Sequence, residues 1–125
     1  MSQFVEGFKK TLIAGEDLSA KEFYIGQLDA SGNLEVAEGA TDLVVGVIRE
    51  NAGGSGASAT YQFLGTAKVK LGGTVAIGDW VTTDSAGKGV ATTTDGNITI
   101  GRALEAGVDG DIIEVQLNVQ HLYIA

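Results

Sequence analysis

Asp84-Ser85-Ala86-Gly87 repeats Asp29-Ala30-Ser31-Gly32 at a distance of 55 residues, and each tetrad follows an apolar stretch rich in β-forming residues. Fourteen residues beyond each closing glycine stands another, Gly46 and Gly101. Both are set inside strand-like runs, Leu43-Val44-Val45-Gly46-Val47-Ile48 and Ile98-Thr99-Ile100-Gly101-Arg102-Ala103. Glu50 and Glu105 keep the same spacing. An aspartate that hydrogen-bonds its own backbone, followed by a glycine free to take positive φ, is turn chemistry. A glycine inside an apolar run marks a bulge or a close approach of another backbone. The shared offset therefore describes two copies of one β unit.

Composition agrees with short strands. The 125 residues suit one domain with a real core, and 44% of them are apolar. Nineteen glycines against no proline favour turns and strands over long helices. Cysteine is absent, which excludes a disulfide framework and thiol chemistry. Sixteen acidic residues against eight basic ones give a net charge of −8. Such a surface repels phosphate backbones and anionic lipid, so neither nucleic acid nor membrane is expected as a partner. No stretch approaches the roughly 20 apolar residues of a membrane span. The first residues, Met1 to Gly7, lack a basic region followed by an apolar one. They do not read as a secretory signal, and the chain is expected to be made and kept in a cytoplasm.

Residues 1–18 differ from the rest. Phe4, Val5, Phe8, Leu12 and Ile13 are apolar but sustain neither helical nor alternating spacing. They read either as an N-terminal arm lying outside a single β domain at 19–125, or as an edge strand packed on that domain. From Lys21 onward the pattern is β. Thr41 to Glu50 reads as a strand buried on both faces. Ala59, Tyr61 and Phe63 alternate with polar neighbours, as do Ala67, Val69 and Leu71 with Thr66, Lys68 and Lys70. The two runs read as one hairpin arm closed by Gly72-Gly73. Val75 to Val81, Gly89 to Thr92, Ile98 to Ala106 and Ile112 to Leu117 complete about nine strands, with no helix. The fold class is all-β, a small β-barrel or tulip-like domain of two related units.

Catalytic constellations are missing from this pattern. The lone His121 has no nucleophile or carboxylate at motif spacing, and no Gly-x-Ser-x-Gly elbow occurs. Asp95-Gly96-Asn97 and Asp109-Gly110-Asp111 place oxygens on turns without the spaced ligands and closing Glu of a calcium loop. The glycine-rich stretch 51–57 lacks the Lys-Ser/Thr of a phosphate cradle. Asp79-Trp80 occurs once, too seldom for propeller blades, and Trp80 reads as a core or interface anchor. No enzyme activity, cofactor or metal is expected.

The second copy carries a more specific likeness. Val75-Ala76-Ile77-Gly78-Asp79-Trp80-Val81, Asp84-Ser85-Ala86-Gly87-Lys88, Ile100-Gly101-Arg102-Ala103-Leu104-Glu105-Ala106 and Asp109-Gly110-Asp111-Ile112-Ile113-Glu114-Val115 follow one another in order. This succession resembles the capsid cement, or head decoration, proteins of tailed bacteriophages over about residues 20 to 119. The resemblance implies a β domain that adds to the outer surface of an expanded icosahedral head. It further implies homotrimers at three-fold or quasi-three-fold positions, bound to the major capsid protein of the same phage and bridging capsomers. On this reading the arm residues Phe4, Val5, Phe8, Leu12 and Ile13 bind the shell. Trp80, Lys68, Lys70, Arg102, His121 and Tyr123 are the candidate oligomer or shell contacts. The protein would be synthesised in the host bacterial cytoplasm and reside on the virion. The competing reading is a virion-surface carbohydrate-binding or fibre-type module, with the 51–57 loop and Trp80 or Tyr61 as a sugar platform. A tail or head-tail connector component is a further alternative.

Overall fold

The computed structural model of the chain describes residues 9–39, 43–49, 54–94 and 96–121, with backbone alone at 120 and 121. Among the described residues there are ten strands and no helix. They are β1 (Lys9–Ile13), β2 (Ile25–Leu28), β3 (Leu34–Val36), β4 (Val44–Ile48), β5 (Ser58–Gln62), β6 (Leu64–Lys70), β7 (Trp80–Thr83), β8 (Gly89–Ala91), β9 (Ile98–Ala103) and β10 (Ile112–His121).

The aspartates of the repeat make the turns. Asp29 Oδ1 accepts the amides of Ser31 (2.8 Å) and Asn33 (2.9 Å), and Asp84 Oδ1 accepts those of Ala86 (2.8 Å) and Lys88 (2.9 Å). Gly32 and Gly87 take φ of 82° and 81°, a region that costs a side-chain-bearing residue energy. Each capped turn joins a short antiparallel hairpin, β2–β3 or β7–β8.

The echo extends well beyond the turns. The first five strands form one antiparallel sheet in the order β1-β5-β4-β2-β3, and the last five form another in the order β6-β10-β9-β7-β8. The second order is the first advanced by five strands, so each half of the chain builds one complete unit. Gly46 and Gly101 hold matching places in β4 and β9. A Cβ at Gly46 would overlap the Gln62 carbonyl oxygen, and one at Gly101 would overlap that of Gln116. The strand glycines are there because a neighbouring backbone leaves no room for a side chain.

The units are open sheets and not barrels. In each, the two edge strands meet through a single parallel bridge, Ala14 to Leu34 in the first unit and Leu71 to Gly89 in the second. One bridge is not a ladder, and closure stops there. The pairing of β5 with β6 as a hairpin is also not observed. β5 pairs with β1 and β4, while β6 pairs with β10. Phe63 alone separates β5 from β6, and the chain passes there from one sheet to the other. The buried Gln62 amide fixes this crossing by donating to the carbonyls of Leu64 (2.8 Å) and Thr66 (3.0 Å).

Two apolar clusters organise the interior. One lies within the first unit and gathers Ala14, Leu18, Leu34, Val36, Ile48, Ala59 and Tyr61. The other joins the units, bringing Ile25, Ala37, Val44 and Val47 against Val69, Val81, Ile100, Val115 and their neighbours from the second sheet. Strand β4 is therefore covered on both faces, as its uninterrupted apolar run predicts. Each fully buried Val, Leu or Ile contributes about 1.5–3 kcal/mol to this join before ordering costs.

At the N-terminus, residues 9–13 form the edge strand β1, paired with β5, and the following Ala14 and Leu18 are buried in the first unit's core. Phe4, Val5 and Phe8 lie outside the described residues. The expected strand at Val75 to Val81 starts only at Trp80. Before it, the Asp79 carboxylate accepts the Ala76 amide (2.9 Å) and Asp79 N–H donates back to Ala76 O (3.1 Å), which bends the segment into a turn.

Replacing Gly101 with Ala should lower stability by about 2 kcal/mol or more, because a β-carbon there must displace a strand backbone. Gly54, with nothing within 4 Å of a β-carbon, serves as the control. A thermal melt showing equal midpoints for Gly101→Ala and Gly54→Ala would contradict the close approach.

Candidate functional site

Strand pairing brings Trp80 and Arg102 side by side. They are register partners in the β7–β9 ladder, and the guanidinium carbon stands 4.5 Å from the centre of the indole ring. This is cation–π distance. Trp80 is half-buried and Arg102 exposed, so the pair forms a surface feature with an aromatic floor. Two shallow grooves flank it. One runs along Gly78, Asp79, Ala91, Thr92 and Thr93; the other runs along Gly101, Gln116, Leu117 and Asn118.

Lys68 and Lys70 lie elsewhere, where the two units meet. The exposed Lys68 lines a cleft with Glu22, Phe23, Arg49, Thr66 and Glu114. Lys70 is half-buried, with its Nζ 6.0 Å from the Tyr24 ring, and Lys21 Nζ sits 4.8 Å from the same ring. Arg49, which the sequence did not single out, enters this cleft with its Nε buried and without a hydrogen-bond partner in the structure. Phe23 beside it is a non-glycine residue at positive φ, 71°. Its strain is held by two backbone bonds, Phe23 N–H to Ile48 O (2.8 Å) and Lys70 N–H to Phe23 O (3.0 Å). Nothing in the local sequence marks either residue, since both depend on how the units dock.

The remaining predicted contacts are dispersed. Leu12 is half-buried against the first unit's core, and Ile13 is 49% exposed at the end of the edge strand. His121 pairs through its backbone with Ile98, its side chain lying outside the described residues along with all of Tyr123. Of the sugar-platform residues, Tyr61 is buried and tilted against Phe63 (ring centres 6.0 Å apart), which removes its face from solvent. Loop residues 51–53 lie outside the described residues, and Gly54 to Ala57 form a turn tied to Ala14 by two backbone bonds of 2.8 Å. Asp111 caps its own turn by accepting the Val108 amide (3.0 Å). Among the described residues no three His, Cys, Asp or Glu side chains converge in a metal-binding group, and no helix is long and apolar enough to cross a membrane.

The comparisons bear on the chain as a whole and on its fold. Residues 11–117 match the phage cement protein family. The chain belongs to that family. It is a phage capsid-associated structural protein of the virion. Among solved structures, "The crystal structure of head fiber gp8.5 N base in bacteriophage phi29" is similar, with a TM-score of 0.64 and 19% identity over 93% of this chain and 98% of that one. At that identity the likeness is one of fold. No curated protein matched the chain. This cement-family domain carries an Asp-x-x-Gly turn and a strand glycine in each half.

Burial pushes the Tyr61 phenol above its usual 10.0. Above that pH the unfolded chain releases the proton while the folded chain retains it, so stability should fall as pH rises past 10. Tyrosinate absorbance of the folded protein should include a late-ionising component from Tyr61, and Tyr61→Phe should remove it. A Tyr61→Phe protein with an unchanged titration would refute the assignment.

Proposed function

We propose that this cement-family protein binds the outer surface of an expanded icosahedral phage head and stabilises it by bridging capsomers. The family match over residues 11–117 carries the reading. The partner is the major capsid protein of the same phage, and the cement protein acts as a homotrimer at three-fold or quasi-three-fold positions. It acts by binding, without turnover. Several independent features support this. A doubled β scaffold with capped turns offers a rigid body, and the net charge of −8 discourages adsorption to packaged DNA. Trimers also engage a shell through several contacts at once, so modest site affinities combine into firm attachment.

Shell contact falls to the segment ahead of β1. Leu12 already packs on its own domain, so the anchors of this arm are the apolar Phe4, Val5 and Phe8. Burying three such side chains against the shell contributes on the order of 1.5–3 kcal/mol each, less the cost of ordering the segment.

Deleting residues 2–8 should leave the thermal melt of the domain nearly unchanged and lower occupancy on expanded shells at least about tenfold. Deletion through residue 13 is a different experiment, because it also strips β1 from β5. Co-sedimentation with empty expanded shells measures the effect. Full occupancy by the chain lacking residues 2–8 would exclude the arm as the anchor, and failure of the intact chain to bind any expanded shell would exclude the cement role.

A further inference from the structure

The two units of the chain are joined head to tail, and this leaves one half of the same joint unused at each end. Within the chain, the second unit's capped turn presses into the end of β2 and β3. Ile25 N–H donates to Gly87 O (2.7 Å), and Lys70 N–H on the outer edge of β6 donates to Phe23 O (3.0 Å). A Cβ at Gly87 would overlap Val36 and stand 3.2 Å from Ile25 O. The first unit carries the same turn, Asp29 to Asn33, with the same capping bonds. Yet a Cβ at Gly32 would have nothing within 4 Å. The insert is present without a socket.

The complementary socket lies on the second unit. Gly78 holds the place of Phe23, Trp80 that of Ile25, Ala91 that of Val36 and Thr92 that of Ala37. The backbone confirms the match: Thr92 N–H donates to Trp80 O (3.0 Å) as Ala37 N–H does to Ile25 O (2.9 Å). Likewise Gly78 N–H donates to Ala103 O as Phe23 N–H does to Ile48 O, both at 2.8 Å. These positions line the open groove beside Trp80. Ile25 and Ala37 are fully covered, whereas Trp80 and Thr92 are half-buried and Ala91 is exposed. Apolar side chains flank both surfaces. Ile13, at the position of Lys70, is 49% exposed on the insert side, and Ile77, at the position of Glu22, is 71% exposed on the socket side.

We propose that the groove beside Trp80 receives the Asp29–Asn33 turn and the Ile13 edge of a second copy of this chain. The contact between chains then repeats the contact within the chain. Such a contact is heterologous, and the trimer reading requires its rotation to close into a ring of three chains. It deepens the trimer reading, from which it takes only the number of chains in the ring.

The absence of cysteine makes the test clean. Glu38 and Ala86 line one cleft at the joint inside the chain, and their counterparts across chains are Thr93 and Ser31. A short bis-maleimide should link Glu38→Cys/Ala86→Cys within one chain, and Ser31→Cys/Thr93→Cys into dimers and closed trimers on a denaturing gel. Gly32→Asn suits the left-handed turn but places a side chain where the joint has no room. It should keep the fold, weaken association at least about tenfold by sedimentation velocity, and red-shift the emission of the chain's single tryptophan. A trimer that gives no crosslink between 31 and 93, or that withstands Gly32→Asn, would overturn this contact and leave the trimer standing. A chain that stays monomeric at every concentration would overturn both.

Discussion

The structure hangs on a carboxylate. Asp84 gathers two backbone amides into one oxygen and so presents the Gly87 carbonyl, rigidly and without a side chain, to the amide of Ile25. Charge-assisted bonds of this kind are stronger than neutral ones, and here they hold a turn in the shape that lets a second sheet reach the first. The apolar join beneath it, from Ile25 and Val47 to Val81 and Val115, requires the turn to arrive in that shape. The same device at Asp29 faces solvent, which is how a duplicated sequence yields two unlike ends.

Much of this was legible in the sequence because it rests on residue types that little else can replace. Asp-x-x-Gly states a capped turn with positive φ, and a glycine in an apolar run states a crowded backbone. Both statements could be made twice, 55 residues apart. Pairing was less legible. Alternation in 58–71 describes strands but not their partners, and the one-residue crossing at Phe63 is set by a side-chain amide bonding to backbone carbonyls, a contact without periodicity. Barrel closure turns on one bridge per unit, below the resolution of any pattern. β1 was ambiguous because two of its five residues are lysines and its apolar positions are half-buried at best.

The contact residues divide in the same way. Trp80 and Arg102 each stand out by type, but their stacking comes from a β7–β9 ladder between segments more than twenty residues apart in the chain. Arg49, Phe23 and Tyr24 gain their character only from the docking of one sheet on another. A protein that works by contact places its chemistry in shape and register, and those belong to the tertiary structure more than to motifs.

The crossing at Phe63 bears on assembly in a different way. Separating the two halves would expose the buried join that runs from Ile25 and Val47 to Val81 and Val115. The single residue between β5 and β6, held by the Gln62 amide, fixes the angle at which the halves meet. Each chain therefore enters an assembly as an undivided brick. Copies that assemble do so as rigid two-sheet bodies, so an angle set once inside the chain is carried into every contact its outer faces make.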